Sequence, residues 1–399
     1  LRVQSSNVIF YSAEADNETS KAVLQLLFPR IEYYYCTQKE FTATKRILLL
    51  CGQSSTLENL MQSFETIPEM PMREVLFDQL KIYISWQLND QLFNHTLLQG
   101  NWLAPYYQRK PFERYIPKYA HSKPKFRKIK LTKNKQQKII DLSRASLALY
   151  CRETEPITYV HTSSLQLFDC GNAVTIALFG IDPNRMLAIE TYIGYMLFKN
   201  NVPVAYGGAW IFGDRCKIGL NIYPPFRKGD SYTLFDKIIS LYKQEFHLQR
   251  FVVKPYQFGK GNPEGLASGA FWFYYKMGFR PADKIVADAA ANDYNNKIRS
   301  SISRLKYFTT SNLELCFRPM LEGDMDPEII SKRITEMIKE KFSGNRKAAL
   351  QSAGNQFGNF LPKENKTSVR FEHLSLLLAL IGNCNTWNKT EKMQLEKIL

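Results

Sequence analysis

Hydrophobic positions near both ends of the chain recur at intervals of three and four, which is the spacing of one face of an α-helix. The pattern covers 17–35 and 54–98, and a short apolar run at 47–51 predicts a strand between them. Residues 1–105 are therefore expected to be mainly helical. The same spacing in the tail, interrupted by a polar stretch at 343–367, predicts a helical C-terminal region over 321–399.

The middle of the chain follows a different pattern. After a predicted helix at 136–151, β-rich runs predict antiparallel strands at 172–181, 191–199 and 202–212, with Asn200-Asn201 as a hairpin turn. Alternation over 216–223 predicts a fourth strand that ends at Pro224-Pro225. The later predicted elements are a helix at 231–246, a strand at 251–255, a helix at 266–277, a helical stretch at 282–305 and a strand at 312–317. Residues 136–320 are thus predicted to form an α+β domain with a mixed, mainly antiparallel sheet and flanking helices.

The positive charge of the chain is concentrated in one segment. The 399 residues carry a net charge of +16, and 109–138 holds twelve basic residues against the single acid Glu113. Prolines and tyrosines in this stretch predict an extended connector over 106–135. It suits nucleic acid or anionic lipid, since Lys and Arg neutralise phosphates and aromatic rings stack on bases. We favour the alternative, a solvated linker, because nothing else in the chain resembles a nucleic-acid-binding module.

Other features exclude several classes of protein. The seven cysteines include no C-x-x-C pair, which argues against a disulfide framework and for a reducing, cytoplasmic compartment. No apolar run reaches the roughly 18 residues that a membrane span needs, so we expect none. The five histidines show no metal-ligand spacing, so no metal is expected.

Two motifs in the middle region point to chemistry. The turn PPFRKGDS, at 224–231, joins a predicted strand to a helix N-terminus, where free amides and the helix dipole favour phosphate. Further on, Ala270, Tyr274, Gly278 and Phe279 form an A-x-x-x-Y-x-x-x-G-F pattern. This pattern, with the order of elements before it, resembles the cofactor-binding half of the GNAT superfamily of N-acyltransferases over about 172–281.

The resemblance implies a binding site for acyl-CoA in a gap between the fourth and fifth strands, at 217–223 and 251–256. It implies that Tyr274 faces this cleft as the general acid that protonates the leaving thiolate, while Phe271 and Tyr275 pack in the core. For the general base, Glu190 and Glu264 are the candidates; alternatively Glu190 pairs with a lysine and Glu264 caps a helix. The cofactor-binding residues implied by the resemblance are Ile222, Tyr223, Arg227, Lys228, Gly229, Asp230, Ser231, Asn262 and Ala270.

Departures from the family pattern keep three hypotheses open. The turn is one residue shorter than R/Q-x-x-G-x-G/A, no carboxylate lies on the fourth strand, and Ala267 stands where the family often has Asn, with Asn262 nearby. The leading hypothesis is an acyltransferase that moves an acyl group from acyl-CoA to a small-molecule or peptide amine. A second is a GNAT-like scaffold without catalysis that binds an acidic protein or nucleic acid. A third is an acyltransferase whose donor is an acyl carrier protein, since an acidic donor suits a basic connector.

Overall fold

The computed structural model describes residues 8–37, 39–86, 98–107, 126–185, 189–227, 230–319, 326–357 and 376–377. The chain divides into two compact units, Leu1–Leu98 and Gln99–Leu399. The predictions for residues 87–97, for most of the basic connector and for the tail beyond 357, apart from 376–377, lie outside the described residues. No helix in the described ranges is long and apolar enough to cross a bilayer.

In the first unit, helices and one two-stranded sheet surround a small core. Its described elements are β1 (Val8–Ala13), α1 (Asn17–Leu27), α2 (Arg30–Thr37), α3 (Ala43–Cys51), α4 (Thr56–Glu65), α5 (Met70–Gln79) and β2 (Ile82–Trp86). The two strands pair antiparallel. The guanidinium of Arg46 is fully buried, and it donates to Ser20 Oγ at 3.0 Å and to Asn17 Oδ1 at 2.6 Å. A buried cation thus ties α3 to α1 through hydrogen bonds.

Two predictions for this unit are wrong. The apolar run at 47–51 belongs to helix α3, and the helical pattern over 54–98 gives way to strand β2 at Ile82–Trp86. The run at 47–51 is buried on one side only and continues the helix that Thr42 caps through Lys45 N. In β2, by contrast, pairing with β1 decides the conformation, and such a pairing leaves no trace in local spacing.

The second unit is built on one large sheet in the order β11-β12-β10-β8-β7-β6-β5-β4-β3, with β9 also paired to β7. Its strands are β3 (Arg127–Ile129), β4 (Gln166–Asp169), β5 (Val174–Gly180), β6 (Thr191–Lys199), β7 (Val202–Phe212), β8 (Arg215–Ile218), β9 (Asn221–Ile222), β10 (Arg250–Val253), β11 (Arg280–Pro281) and β12 (Leu313–Cys316). Every described strand pairing is antiparallel except that of β8 with β10. The predicted α+β class and mainly antiparallel sheet are confirmed.

Helices cover both faces of this sheet. The described helices are α6 (Lys133–Leu149), α7 (Glu155–Thr158), α8 (Ser231–Phe246), α9 (Pro263–Ala267), α10 (Ala270–Lys276), α11 (Lys284–Asn295), α12 (Ile302–Phe308), α13 (Pro327–Phe342) and α14 (Arg346–Phe357). One face packs against α8, α10, α11 and α12 in the larger core, and the other packs against α6 and α7 in a second core. The long helix α6 therefore sits across the sheet from the motif that contains Tyr274.

The predicted order of elements in this unit is largely confirmed. Asn200 and Asn201 both have positive φ, 50° and 65°, as a two-residue hairpin turn requires. The inserted helices α11 and α12 come before the displaced strand β12, as predicted. The helix predicted at 266–277 is in fact two helices, α9 and α10, because Gly269 between them takes φ 64°. That left-handed residue turns the chain and starts α10 on a new axis.

Candidate functional site

The only parallel strand pair among the described residues comes apart partway along its length. Strands β8 and β10 pair from Arg215 with Arg250 to Lys217 with Val252, and no further pairing between them follows in the described ladder. Beyond that point the chain after β8 stays with β7, where Asn221 pairs with Tyr206. A gap therefore opens on the β10 side of residues 219–222. The family resemblance implied a gap between the fourth and fifth strands, which correspond to β8–β9 and β10.

The hydroxyl of Tyr274 lies at this gap. Gly219 N donates to Gly208 O of β7 at 3.4 Å, so by the alternation of an antiparallel ladder the amide of the next residue, Leu220, points away from β7. In a continuous sheet that amide would bond to the neighbouring strand. Here it faces the hydroxyl of Tyr274, a buried residue of α10, and this polar contact lowers the pKa of the phenol. The phenol thus takes the place of a strand at the break in the sheet.

A second buried tyrosine holds the other side of the same backbone. Tyr195 on β6 donates its hydroxyl proton to Gly219 O at 2.8 Å. Its ring crosses over Gly207, where a Cβ atom would lie 2.6 Å from the Tyr195 hydroxyl and 2.8 Å from Gly219 O. Glycine at 207 is therefore required for this contact. Tyr195 of β6 thus contacts Gly219, and Tyr274 of α10 contacts Leu220.

On the α6 side of the sheet, a cavity of about 110 Å³ lies directly over these glycines. Its floor is glycine backbone from β7 and the β8–β9 link, and its walls are aromatic side chains together with one carboxylate and two amides. The residues that give it this character are Glu153, Tyr192, Tyr206, Trp210, Asn221 and Gln257, with Gly207, Gly208 and Gly219 below them. Leu220, whose amide contacts Tyr274, lies between two residues that line this cavity. The cavity and the phenol are therefore one residue apart along the backbone.

The turn between β9 and α8 is held together by Arg227. Its Nε donates to Ile222 O at 3.0 Å, and its guanidinium forms an ion pair with Glu264 at the start of α9. Asp230 is the N-cap of α8 and forms an ion pair with Lys199 of β6. Ser231 donates its hydroxyl to Arg227 O at 3.3 Å. Lys228 and Gly229, at the centre of the predicted phosphate turn, lie outside the described residues.

The remaining predicted cofactor residues divide between the gap and the core. Ile222 lies on β9, where it pairs with Ala205, and Ala270 begins α10 against the larger core. Asn262 caps α9 by accepting from Gly265 N at 3.1 Å, and its amide donates to Tyr256 O at 3.0 Å. Tyr223 is a core residue: its amide donates to Val204 O, and its ring stacks on Tyr150 with centroids 4.2 Å apart. Its side chain lies on the α6 side of the sheet, away from Tyr274.

The two predicted bases are both engaged in ion pairs. Glu190 is buried and bonds through one carboxylate oxygen to Lys217 of β8, the lysine partner that the sequence left as the alternative. Neither Glu190 nor Glu264 is among the described residues that line the cavity. Glu264 is exposed and bonded to Arg227, while Asn262 performs the capping of α9. The residues brought together at the gap are Tyr274, Tyr195 and the backbone of 219–222.

Sequence reasoning missed three residues of the site. Glu153 supplies the carboxylate of the cavity from the link between α6 and α7, and its Oε2 lies 3.5 Å from the Tyr206 hydroxyl. Gln257, after β10, packs its amide where a Gly219 Cβ would be, at 2.8 Å. The third is Tyr195. The glycines at 194, 207, 208 and 219 were the available signal, because glycine inside strands marks close approach of other groups.

Burial governs the chemistry of the phenols here. Desolvation raises the pKa of Tyr274 above its usual 10, and the hydrogen bond from the Leu220 amide partly offsets that rise. Burial also raises the pKa of Tyr195 and, with the negative charge of Glu153, that of Tyr206. These side chains are therefore neutral hydrogen-bond donors throughout the physiological range. Among the described residues no group of His, Cys, Asp and Glu side chains is placed to hold a metal ion.

Comparison with protein-family models, with characterised proteins and with solved structures found no match to this chain.

Proposed function

We propose that this protein is an N-acyltransferase of GNAT type that transfers an acyl group from acyl-CoA to an amine. The observation that carries the proposal is the position of the buried Tyr274 hydroxyl, which faces the Leu220 amide at the point where the two parallel strands separate. The strand order β7-β8-β10-β12-β11, with one parallel pair in the middle, also agrees with the resemblance drawn from the sequence. Acyl-CoA would lie in the gap as the donor substrate.

In this proposal the Leu220 amide changes partners when the substrate binds. The thioester carbonyl oxygen accepts from Leu220 N–H and so takes the place now held by the phenol oxygen, which stabilises the negative charge that develops on that oxygen. The lone pair of a neutral amine forms the C–N bond, and the C–S bond then breaks. The departing sulfur receives the Tyr274 proton, and the phenolate recovers a proton from the nitrogen. The products are an amide and free CoA thiol.

The proton transfer is feasible because the acid and the leaving group share one environment. In water a phenol near pKa 10 is a weaker acid than a thiol near 8.5, so protonation of a thiolate would be slightly unfavourable. Burial raises the pKa of a thiol as it raises that of a phenol. In the same core it raises the pKa of the Cys170 thiol to about 12. A sulfur desolvated in the gap is therefore basic enough to take the proton.

The second candidate is a GNAT-like scaffold that does not bind acyl-CoA, and two contacts favour it. Gln257 packs against Gly219 inside the gap, and Glu264 neutralises Arg227 at the turn where pyrophosphate would bind. If the protein is an enzyme, both side chains must move when the donor binds.

One experiment separates the two candidates. Acetyl-CoA, a long-chain acyl-CoA and free CoA are titrated into the folded protein by calorimetry, and thiol release is then followed with a panel of primary amines. We expect Tyr274→Phe to reduce turnover by about 10²–10⁴-fold, the usual contribution of a general acid, with little change in donor affinity. Tyr275→Phe, the neighbouring buried tyrosine on the same helix, is the matched control and should keep its activity. Absence of binding by all three compounds would overturn the acyl-CoA proposal.

A further inference from the structure

We propose that the cavity on the α6 side of the sheet is the acceptor pocket and that it selects a small, unbranched primary alkylammonium group. This inference rests on the proposed acyl transfer, but the binding it describes can be measured without acyl-CoA. The charge, the aromatic lining and the size of the cavity all favour such a ligand.

The charge of the cavity favours a cation. Among its described lining residues Glu153 alone is charged. The Tyr206 hydroxyl lies 3.5 Å from Glu153 Oε2, too long for a strong hydrogen bond, so the carboxylate retains capacity to accept hydrogen bonds from a ligand. An ammonium group presents three N–H donors in a compact head and bonds strongly to a carboxylate.

The aromatic lining favours the same ligand. The rings of Tyr192 and Trp210 meet edge to face with centroids 5.1 Å apart, and both line the cavity beside Tyr206. Trp and Tyr faces attract a cation through the ring quadrupole, and Trp does so most strongly. Gly208 is what lets Tyr192 lie flat on the floor, since a Cβ at 208 would lie 2.3 Å from the Tyr192 hydroxyl oxygen. The cavity thus combines aromatic side chains with the single carboxylate of Glu153.

The size of the cavity limits the group that enters. A cavity of about 150 Å³ holds benzene, with six heavy atoms, so about 110 Å³ holds roughly four. That matches a propylammonium segment and excludes a hexose ring or a guanidinium-bearing chain of full length. The remainder of a larger acceptor would extend outward past Trp210, which is 38% exposed. The proposed acceptor class is therefore the end of an aliphatic primary amine, which binds as the ammonium ion and loses one proton to water before the neutral amine attacks the thioester.

The experiment uses propylammonium as the probe and Met196 as the reporter. Met196 is buried and lines the cavity, so its ¹³C-labelled ε-methyl resonance, assigned with Met196→Leu, reports occupancy. We expect this resonance to shift on titration with a dissociation constant in roughly the millimolar range, as befits a four-atom ligand. The isosteric neutral ligand n-propanol should bind at least about tenfold more weakly, because it lacks the charge.

Two carboxylate variants complete the test. Glu153→Gln should weaken propylammonium binding about tenfold or more, while the other methionine resonances stay in place to show that the fold is intact. Glu155→Gln removes an exposed carboxylate two residues away that is not among the lining residues, and it should change binding less than about twofold. Equal binding of propanol, an unchanged affinity in Glu153→Gln, or no shift at Met196 would each overturn the inference.

The outcomes also separate this inference from the proposed function. Ammonium binding that depends on Glu153, in a protein that binds no CoA compound, would support the pocket and reject the acyltransferase. Turnover with acyl-CoA and an amine that never occupies the cavity would reject the pocket and support the acyltransferase.

Discussion

A single methyl group at position 208 should test whether the glycine floor shapes the site. A Cβ built on Gly208 would lie 2.3 Å from the hydroxyl oxygen of Tyr192, 2.4 Å from its Cζ and 2.6 Å from its Cε2. Real Cβ contacts do not approach this closely, so the residue cannot be accommodated without movement. Loss of the hydroxyl alone would not relieve the contact, because two ring carbons are equally close. In Gly208→Ala the whole Tyr192 ring must therefore swing off the sheet.

The cost can be bounded from the contacts that this movement breaks. Overpacking of a well-filled site usually costs about 1–3 kcal/mol. Here the displaced ring also loses its edge-to-face contact with Trp210, 5.1 Å between centroids, and such pairs contribute about 0.5–1.5 kcal/mol. Tyr192 is only half-buried, which lets it escape toward solvent and limits the strain. We expect a loss of about 2–3 kcal/mol in the free energy of unfolding.

Denaturant unfolding of four proteins tests this value: wild type, Gly208→Ala, Tyr192→Ala and the double variant. If the steric account holds, the added methyl costs nothing once the ring is gone, so the double variant should be as stable as Tyr192→Ala alone. Gly354→Ala is the control, since that helical glycine has open space around its Cβ position, and alanine there should be neutral or slightly stabilising. Additive losses in the double variant would refute the reasoning.

Three further predictions concern the frame around the site. Glu314→Gln should destabilise the protein by about 1.5–3 kcal/mol in denaturant titrations, because it leaves half-buried Arg250 without its bidentate charged partner across β12 and β10. Glu336→Gln, at an exposed pair, should change stability by less than about 0.5 kcal/mol. Burial raises the pKa of three tyrosines above 10, namely Tyr195, Tyr242 and Tyr274. Their phenols therefore ionise at lower pH in the unfolded chain than in the folded protein, and the free energy of unfolding should fall only as pH rises beyond about 10. Absorbance at 295 nm and circular dichroism should show that these tyrosines ionise together with unfolding, and ionisation without unfolding would contradict this. In a Cys384→Ser background, a thiol reagent at pH 8 should label the exposed Cys151 and Cys316 quickly and the buried cysteines only after unfolding. The buried thiols react slowly because burial raises the pKa of Cys51 to about 11 and that of Cys170 to about 12.

The local pattern of the sequence was sufficient to predict elements that bury one face of a strand or of a helix. The hairpin at Asn200-Asn201 and the inserted helices before β12 could be predicted from period and turn residues. The single strand predicted at 216–223 is instead divided into β8 and β9. Strand β2 could not be predicted, because an isolated two-stranded pairing depends on a partner about seventy residues away in the chain. The first unit shows that helical spacing alone does not exclude a strand where another strand is available to pair.

Site residues could be predicted where they lie within one local motif. They could not be predicted where segments distant in the sequence come together. The resemblance implied a place for Tyr274 and for the gap, because the motif and the order of elements that carry it are local in the sequence. Glu153 could not be found in this way, since nothing in the sequence says that the link after α6 lies over β7. The two acids chosen instead, Glu190 and Glu264, have cations within reach and form ion pairs. A carboxylate near a predicted strand is more readily neutralised by a neighbour than left free for catalysis.

The break in the sheet lies between two phenols. The Gly219 carbonyl accepts a hydrogen bond from Tyr195 of β6, and the Leu220 amide faces the Tyr274 hydroxyl of α10, so both groups have a polar neighbour where β10 diverges. A buried amide or carbonyl without such a neighbour would cost about 1–3 kcal/mol, which would favour continued pairing of the strands. Because the Gly219 carbonyl is already bonded to Tyr195, the Leu220 amide is the polar group of the break that a ligand can engage at the smaller cost. In the proposed reaction that ligand is the thioester carbonyl.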